Sequence, residues 1–345
     1  MNSRVVSLIG VLLLLPRCGA FGSLNAVKRS NVRFRGLQVT PIDDLLTDLS
    51  TGEETEEARS QRHLRFGAVG RLYANQETPN TDADSNELDP HLQIIELLNR
   101  STVAVIGLGG VGSWAAEALC RSGVGNLILI DLDDICISNT NRQIHATSTS
   151  VGQMKIDEMR RRLMHINPQC SVTNIHEFVT EMNVHEILDS ILPNVNVILD
   201  AIDSRKAKTA LIAACVEKRI PVVTCGGAAG KKDPTKILAT DLARVNGDDL
   251  LAAVRRNLRK SYGFSEGKKF RELKGKLPKK WKIPAVYSTE ETKELSNGQD
   301  AGGALRRCDG ALGTACFVTG TFGFVAAGQV VDMIAMNRFV RPSKL

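Results

Sequence analysis

Residues 102–131 read TVAVIGLGGVGSWAAEALCRSGVGNLILID, and this stretch decides the fold. Val103 to Ile106 is a short apolar run rich in β-branched residues, the pattern of a strand buried on both faces of a parallel sheet. It ends in Gly107, Gly109, Gly110 and Gly112, which include the spacing G-x-G-x-x-G, and Trp114 to Leu119 then reads as a helix opening above that turn. Free N–H groups and the positive end of the helix dipole converge there, which suits a phosphate. Leu127 to Ile130 is a second apolar run, stopping at Asp131, where a nucleotide-binding fold places a carboxylate for the ribose hydroxyls. Glycine-rich turns also join strand to helix for packing alone. Strand, turn, helix, strand and acid in order favour a nucleotide site.

The units that follow repeat the strand and helix alternation. DLDDICISNTNRQ at 131–143 crowds Asp133 and Asp134 against Asn139, Asn141, Arg142 and Gln143. Hydride transfer has no use for such a cluster, whereas an Arg and amide donors can neutralise a triphosphate while carboxylates hold magnesium. Val151 to Leu163 is a basic amphipathic helix containing Lys155, Val172 to Ile175 a third strand, and Asn196 to Asp203 a fourth ending in a carboxylate. Lys206 to Glu217 reads as a helix, and Pro221 to Thr224 as a fifth strand running into Gly226 to Gly230. Asp203 could merely cap the helix after it. One bound nucleotide would explain Asp131, Arg142, Lys155 and Asp203 together. The expected class is α/β, a Rossmann-like doubly wound and mainly parallel sheet, with an extended C-terminal part packed on it.

At 345 residues and 43% hydrophobic the chain can fill a real core, which excludes a disordered protein. Its net charge of +6 is local, because residues 255–282 hold twelve Lys or Arg against Glu266 and Glu272. Tyr262, Phe264, Phe270 and Trp281 lie among those cations, a mixture suited to phosphate contacts and stacking on unpaired bases. Arg255, Arg256, Arg259, Lys260 and Trp281 are the candidate nucleic-acid residues; a solvated lysine-rich loop is the alternative. Eight cysteines contain no C-x-x-C pair, so neither a four-thiolate zinc site nor a redox dithiol is indicated. Cys225 follows a buried-type strand and reads as structural.

Arg4 precedes the apolar run Val5 to Leu15, with Pro16 and Cys18-Gly19-Ala20 after it, the layout of a signal peptide. Phe21 to Gln38 is basic and free of acids, as in an organelle transit peptide. The tandem resembles the bipartite leaders of algae whose plastids lie behind an endomembrane. Residues 1–38 are therefore expected to be a targeting presequence for a plastid, with a mitochondrion or the secretory pathway as alternatives. Residues 39–59 read as an acidic linker, Asn75 to Asp89 as a second polar loop, and 60–340 as the catalytic domain, with a basic insertion at about 250–285. Between the two loops RHLRFGAVGRLY has helix-like spacing, and His91 to Leu98 is a further helix. Phe317 to Met336 is apolar, but Gln329 and Asp332 interrupt it, so a buried helix is expected and no stable membrane insertion.

GLGGVGS, D-L-D-D-x-x-x-S-N-x-N-R-Q, the V-G-Q-x-K around Lys155 and L-D-A-I-D ending at Asp203 resemble, in order, the adenylating enzymes related to ubiquitin activation and to bacterial sulfur-carrier activation. The resemblance covers roughly 60–340. It implies that Gly109 and Gly110 approach the phosphates of ATP, Asp131 the ribose, and Asn139, Arg142 and Lys155 the triphosphate, with Asp203 on magnesium. It also implies a homodimer in which Arg71, from R-L-Y, reaches the partner's ATP site. Within the family the chain is most similar to the tRNA threonylcarbamoyladenosine dehydratases, through RFGAVGRLY at 65–73, VVTCGGAAGKKDPTKI at 222–237, YSTE at 287–290 and TACFVTGTFGFVAAGQVV at 314–331. That likeness implies ATP-dependent cyclisation of a threonyl group next to a tRNA anticodon, with tRNA as partner and a sulfur-carrier or cysteine-desulfurase system as a further one. The competing functions are activation of a ubiquitin-like or sulfur-carrier protein, which the missing zinc pairs and crossover cysteine disfavour, a nicotinamide-dependent oxidoreductase, and an inactive dimeric binding module.

Overall fold

The computed structural model describes residues 54–74, 89–265, 278–291 and 313–344. The leader expected over 1–38, the linker up to residue 53 and Phe270 lie outside them. Two helices lead in, α1 (Glu56–Ala74) and α2 (Pro90–Arg100). The alternating core follows as β1 (Thr102–Ile106), α3 (Gly112–Arg121), β2 (Asn126–Ile130), α4 (Lys155–Ile166), β3 (Ser171–Ile175), α5 (Val184–Ile191), β4 (Val197–Asp200), α6 (Arg205–Lys218) and β5 (Val222–Cys225). The remainder is β6 (Ile237–Asp241), α7 (Asp249–Tyr262), β7 (Pro284–Ser288) and α8 (Cys316–Ala335).

The strands form one sheet in the order β3-β2-β1-β4-β5-β7-β6, parallel except for β6, which pairs antiparallel with β7 at the edge. The order in which strands are added reverses after β3, with β4 laid on the other side of β1, so the crevice at the carboxyl ends of β1 and β4 is the topological switch point where open α/β sheets collect ligands. Period-2 alternation sorts the strand residues into two cores. Ala104, Ile106, Ile128, Ile130 and Ile198 face α5, α6 and α7, while Val103, Val105, Leu127, Leu129 and Leu199 face α3, α4 and α8. Both faces are covered, which is why these strands read as continuous apolar runs.

Three sequence expectations change. The acidic linker does not extend to residue 59, because α1 starts at Glu56 and Glu54 is paired with the buried Arg62 (2.7 Å to Nη2), which Glu96 also holds (3.0 Å). The Arg62 guanidinium keeps the Glu54 carboxyl below its ordinary range. The fourth strand ends at Asp200, and Asp203 sits in the loop beyond it. Residues 151–154 form a turn, so the helix containing Lys155 begins at that lysine. The C-terminal apolar segment is α8; it is long and apolar enough to cross a membrane, but 61% of it is buried, packed on α3 and the sheet.

The glycine turn divides by role. A Cβ on Gly112 would lie 1.8 Å from the Gly107 carbonyl oxygen, whereas one on Gly109 would meet nothing within 4 Å. Gly112→Ala should therefore cost about 3 kcal/mol of stability, since backbone rather than a side chain must move. Gly109→Ala should leave the urea midpoint close to wild type; equal midpoints for the two variants would contradict this division.

Candidate active site

Gly107 adopts φ +88° and lies under the loop after β4, so the turn from β1 into α3 is set against the carboxyl end of its neighbour. No side chain caps the start of α3, and the space over Gly109 is open. Early N–H groups of a helix without a capping side chain favour an anion. Gly110 packs instead on Thr319 of α8.

Asp131 ties this turn to the loop that follows. It is buried, and its two carboxylate oxygens accept from the Leu108 N–H (2.6 Å) and the Asp133 N–H (2.8 Å). Burial raises its carboxyl above the usual range, against the opposing pull of Lys155. Asp133 in turn accepts from Lys155 Nζ at 2.7 Å, and the Lys155 N–H donates to the Asp133 carbonyl (3.1 Å), so α4 begins pinned to the acidic loop. Asn139 is buried and accepts from the Cys136 N–H (3.1 Å), which orders the loop. Arg142 Nη1 donates to the Ser138 carbonyl (2.7 Å) and Asn141 Oδ1 (2.9 Å), and Trp114 Nε1 donates to the Arg142 carbonyl (2.9 Å). Hydrogen bonds thus join the glycine turn, Asp131, Asp133 and Lys155 in one chain, while the loop holding Asn139 and Arg142 is tied separately to α3 through Trp114.

Asp203 is exposed near this edge, in the loop after β4; the helix cap beside it is Ser204. Beneath that loop lies an ion pair that the sequence reading passed over. Asp200 and Lys208 are fully buried, with Lys208 Nζ 2.8 Å from Asp200 Oδ2, the Thr224 hydroxyl donating to the same oxygen (2.7 Å), and the Ile202 N–H donating to the other (3.1 Å). A lysine three residues into a helix gave no sign of pointing inward. His145 was also overlooked: it is buried, neither ring nitrogen has a hydrogen-bond partner among the described residues, and burial with Lys155 nearby lowers its pKa to about 3.

Arg71 ends α1 on the surface. Phe66 of the same helix packs on Gly123, before β2, and Tyr73 feels the charge of Asp332 near the end of α8. Arg71 is therefore at the amino ends of the strands, away from its own chain's cluster.

The basic segment is corrected at Trp281. Its side chain is 1% exposed, packs edge-on against buried Phe264 (4.9 Å between centroids), lies under Arg259 and donates to Ser265 Oγ (3.1 Å). Its N–H is held by Asp241 Oδ1 (2.8 Å). It is a core residue, with no face open to a base. Arg255 is half-buried, donates to the Leu242 carbonyl, and loses basicity through burial. Arg256 and Lys260 are exposed. Cys225 is buried, which pushes its thiol up to about 12, as suits a structural residue.

A doubly wound sheet with an open helix start, a buried carboxylate and a paired lysine at its switch point defines the nucleotide-binding α/β class. Residues 87–337 match the ThiF family, and the chain belongs to it. It is 39% identical over 276 residues to the tRNA threonylcarbamoyladenosine dehydratase of Haemophilus influenzae, covering 79% of this chain and 94% of that protein. The Escherichia coli enzyme of the same name is 40% identical, over 77% of this chain and 92% of its own. The crystal structure of the E. coli tRNA N6-threonylcarbamoyladenosine dehydratase, TcdA, in complex with ATP superposes with TM-score 0.64 at 38% identity, over 80% of this chain and 96% of that one.

Lys208→Met should leave the Asp200 carboxylate buried without its cation and cost about 3–5 kcal/mol. Adding Asp200→Asn should recover part of that loss in urea unfolding; a single variant as stable as wild type would show that the pair is not needed.

Proposed function

We propose that the chain is an ATP-dependent tRNA threonylcarbamoyladenosine dehydratase. The observation that carries this reading is a match to enzymes of that name at 39–40% identity along more than nine-tenths of their length. TcdA has been solved with ATP and with AMP. A carboxylate is a poor electrophile. Attack of the threonyl carboxylate oxygen on the α-phosphorus would expel pyrophosphate and give an acyl adenylate. Attack on the acyl carbon by a neighbouring nitrogen or oxygen of the same group would then expel AMP and close the ring, removing the elements of water overall. Lys155, Arg142 and the N–H groups above Gly109 would neutralise the phosphates. No enzyme thiol is required, consistent with a buried Cys225.

Magnesium fits the donor set. Among the described residues no group of three His, Cys, Asp or Glu could hold a metal. Asp203 would supply one carboxylate, leaving phosphate oxygens and water as the other ligands, the usual arrangement for this ion. Bound there, it would offset charge on the pyrophosphate.

The position of Arg71 supports a homodimer in which it serves the partner's site. Asp203→Asn should reduce kcat/KM by roughly two orders of magnitude, about 3 kcal/mol. Mixing it with Arg71→Ala should restore activity, because one site of each mixed dimer is whole. Mixed dimers that form yet stay inactive would place Arg71 outside catalysis.

For tRNA, the exposed cations Arg256, Lys260, Lys279, Lys280 and Lys282 at the far end of α7 offer phosphate contacts, without the aromatic stacking expected from Trp281. The leader read at 1–38 favours a plastid as the compartment. Arg256→Gln, Lys260→Gln and Lys280→Gln together should flatten the plot of log affinity against log salt by about 0.7–0.9 per lost contact. ATP affinity should hold. An unaltered tRNA affinity in the triple variant would remove this surface from the reading.

A further inference from the structure

A second concavity adjoins the nucleotide edge. It has a volume of about 230 Å³ and is lined by Arg205, Gly227, Lys231, Asp248, Asp249 and Leu250, among others. Arg205 is the first residue of α6, two beyond Asp203, and Gly227 lies two beyond β5. Because β4 and β5 are neighbours in register (Asp200 opposite Thr224), the cavity opens at the same carboxyl edge as the glycine turn, one strand further along.

Its walls are fixed. Lys231 is buried and donates to the Glu290 carbonyl, while the Glu290 carboxylate accepts from the Lys232 N–H (2.9 Å) and the Asp233 N–H (2.8 Å), clamping the 231–233 loop. Asp248, also buried, caps α7 through the Leu251 N–H (2.8 Å) and accepts from the Gly227 N–H (2.9 Å). A Cβ on Gly226 would fall 2.2 Å from Asp248 Oδ2, so the Gly226-Gly227 pair is what lets the two segments meet. Opposite them, the start of α6 has no side-chain cap.

We propose that this cavity seats the threonylcarbamoyl group of the tRNA, with Arg205 and Lys231 receiving its carboxylate and Asp249 at the mouth accepting from its hydroxyl or ureido N–H. The inference rests on the dehydratase reading. Two cations balanced by two carboxylates are a poor match for a phosphate dianion, which carries more charge than the cavity offsets and offers Asp249 no donor. They suit a small group carrying one carboxylate together with several donors, and an Arg fork matches a carboxylate in geometry as well as charge. A site built to bond a substrate hydroxyl also discriminates strongly against analogues that lack it. The location adds the chemical reason: a carboxylate held here lies beside the edge where the α-phosphorus must be attacked.

The test uses the full chain with two tRNA preparations, one bearing threonylcarbamoyladenosine and one bearing the glycylcarbamoyl analogue, which lacks the hydroxyl and methyl. Arg205 and Asp249 are exposed, so their variants should fold. Arg205→Gln should raise KM for the threonylcarbamoyl tRNA at least tenfold, with KM for ATP and affinity for unmodified tRNA within twofold of wild type. Asp249→Asn should narrow the preference for threonyl over glycyl substrate severalfold. An unchanged tRNA KM in Arg205→Gln, or an equal rise in the KM for ATP, would overturn the assignment while wild-type turnover left the dehydratase reading intact. Wild-type protein that binds ATP yet fails to turn over the threonylcarbamoyl tRNA would overturn both.

Discussion

The carboxylate of Asp131 is the tie on which the carboxyl edge of the sheet depends. One oxygen holds the N–H of Leu108 in the glycine turn and the other the N–H of Asp133 in the acidic loop, so two segments that would otherwise move separately share one buried group. Asp133 then fixes Lys155, and through it the start of α4. A buried acceptor with two backbone donors is costly to leave unsatisfied, which makes this linkage stiff as well as stabilising. The N–H groups of the glycine turn and Lys155 are consequently held in a fixed relation to one another, and in the dehydratase proposed above that rigidity would let them stabilise charge without reorganisation.

Much of this was legible in the chain because burial on both faces leaves a plain signature. β1, β2, β4 and β5 are short, buried and largely apolar runs, β3 shows instead an alternation, and the glycine spacing with the acid at the second strand's end located the switch point. Three elements left weaker marks. β6 is half-exposed, with the burial of its residues varying along its length, and at the sheet's edge a short strand of that kind resembles a loop. β7 adjoins a charged run that masks it. α5 is only eight residues long, too short for a periodicity to stand out.

The Trp281 error has a specific cause. Aromatics interleaved with cations are what a base-stacking surface requires, and equally what results when a loop plugs its aromatics into the core and leaves its lysines outside. Composition is identical in the two cases. The deciding residue is Asp241, whose carboxylate accepts from the N–H groups of Trp281 (2.8 Å) and Ile283 (3.3 Å) and draws the loop inward. It lies 40 residues upstream of Trp281, beyond the reach of any local pattern. Lys208 was hidden because Asp200 and Thr224, which receive it, stand on two neighbouring strands that no local pattern joins to its helix.

Helix α7 gives these pieces a common geometry. Its start, capped by Asp248, forms a wall of the cavity at the carboxyl edge, and its far end carries Arg256, Arg259 and Lys260. Fourteen helical residues span about 21 Å. A single nucleotide cannot touch both ends, whereas the tRNA arm proposed as substrate would, with its modified base at one end and its backbone phosphates at the other. Trp281, locked against Phe264 and under Arg259, then has a structural purpose: it anchors the far end of α7 to the tail through the Ser343 N–H to the Trp281 carbonyl (2.9 Å) and the Ser265 N–H to the Lys344 carbonyl (2.8 Å). The residue expected to bind RNA directly instead fixes the distance between the exposed cations proposed for the tRNA backbone and the cavity proposed for its modified base.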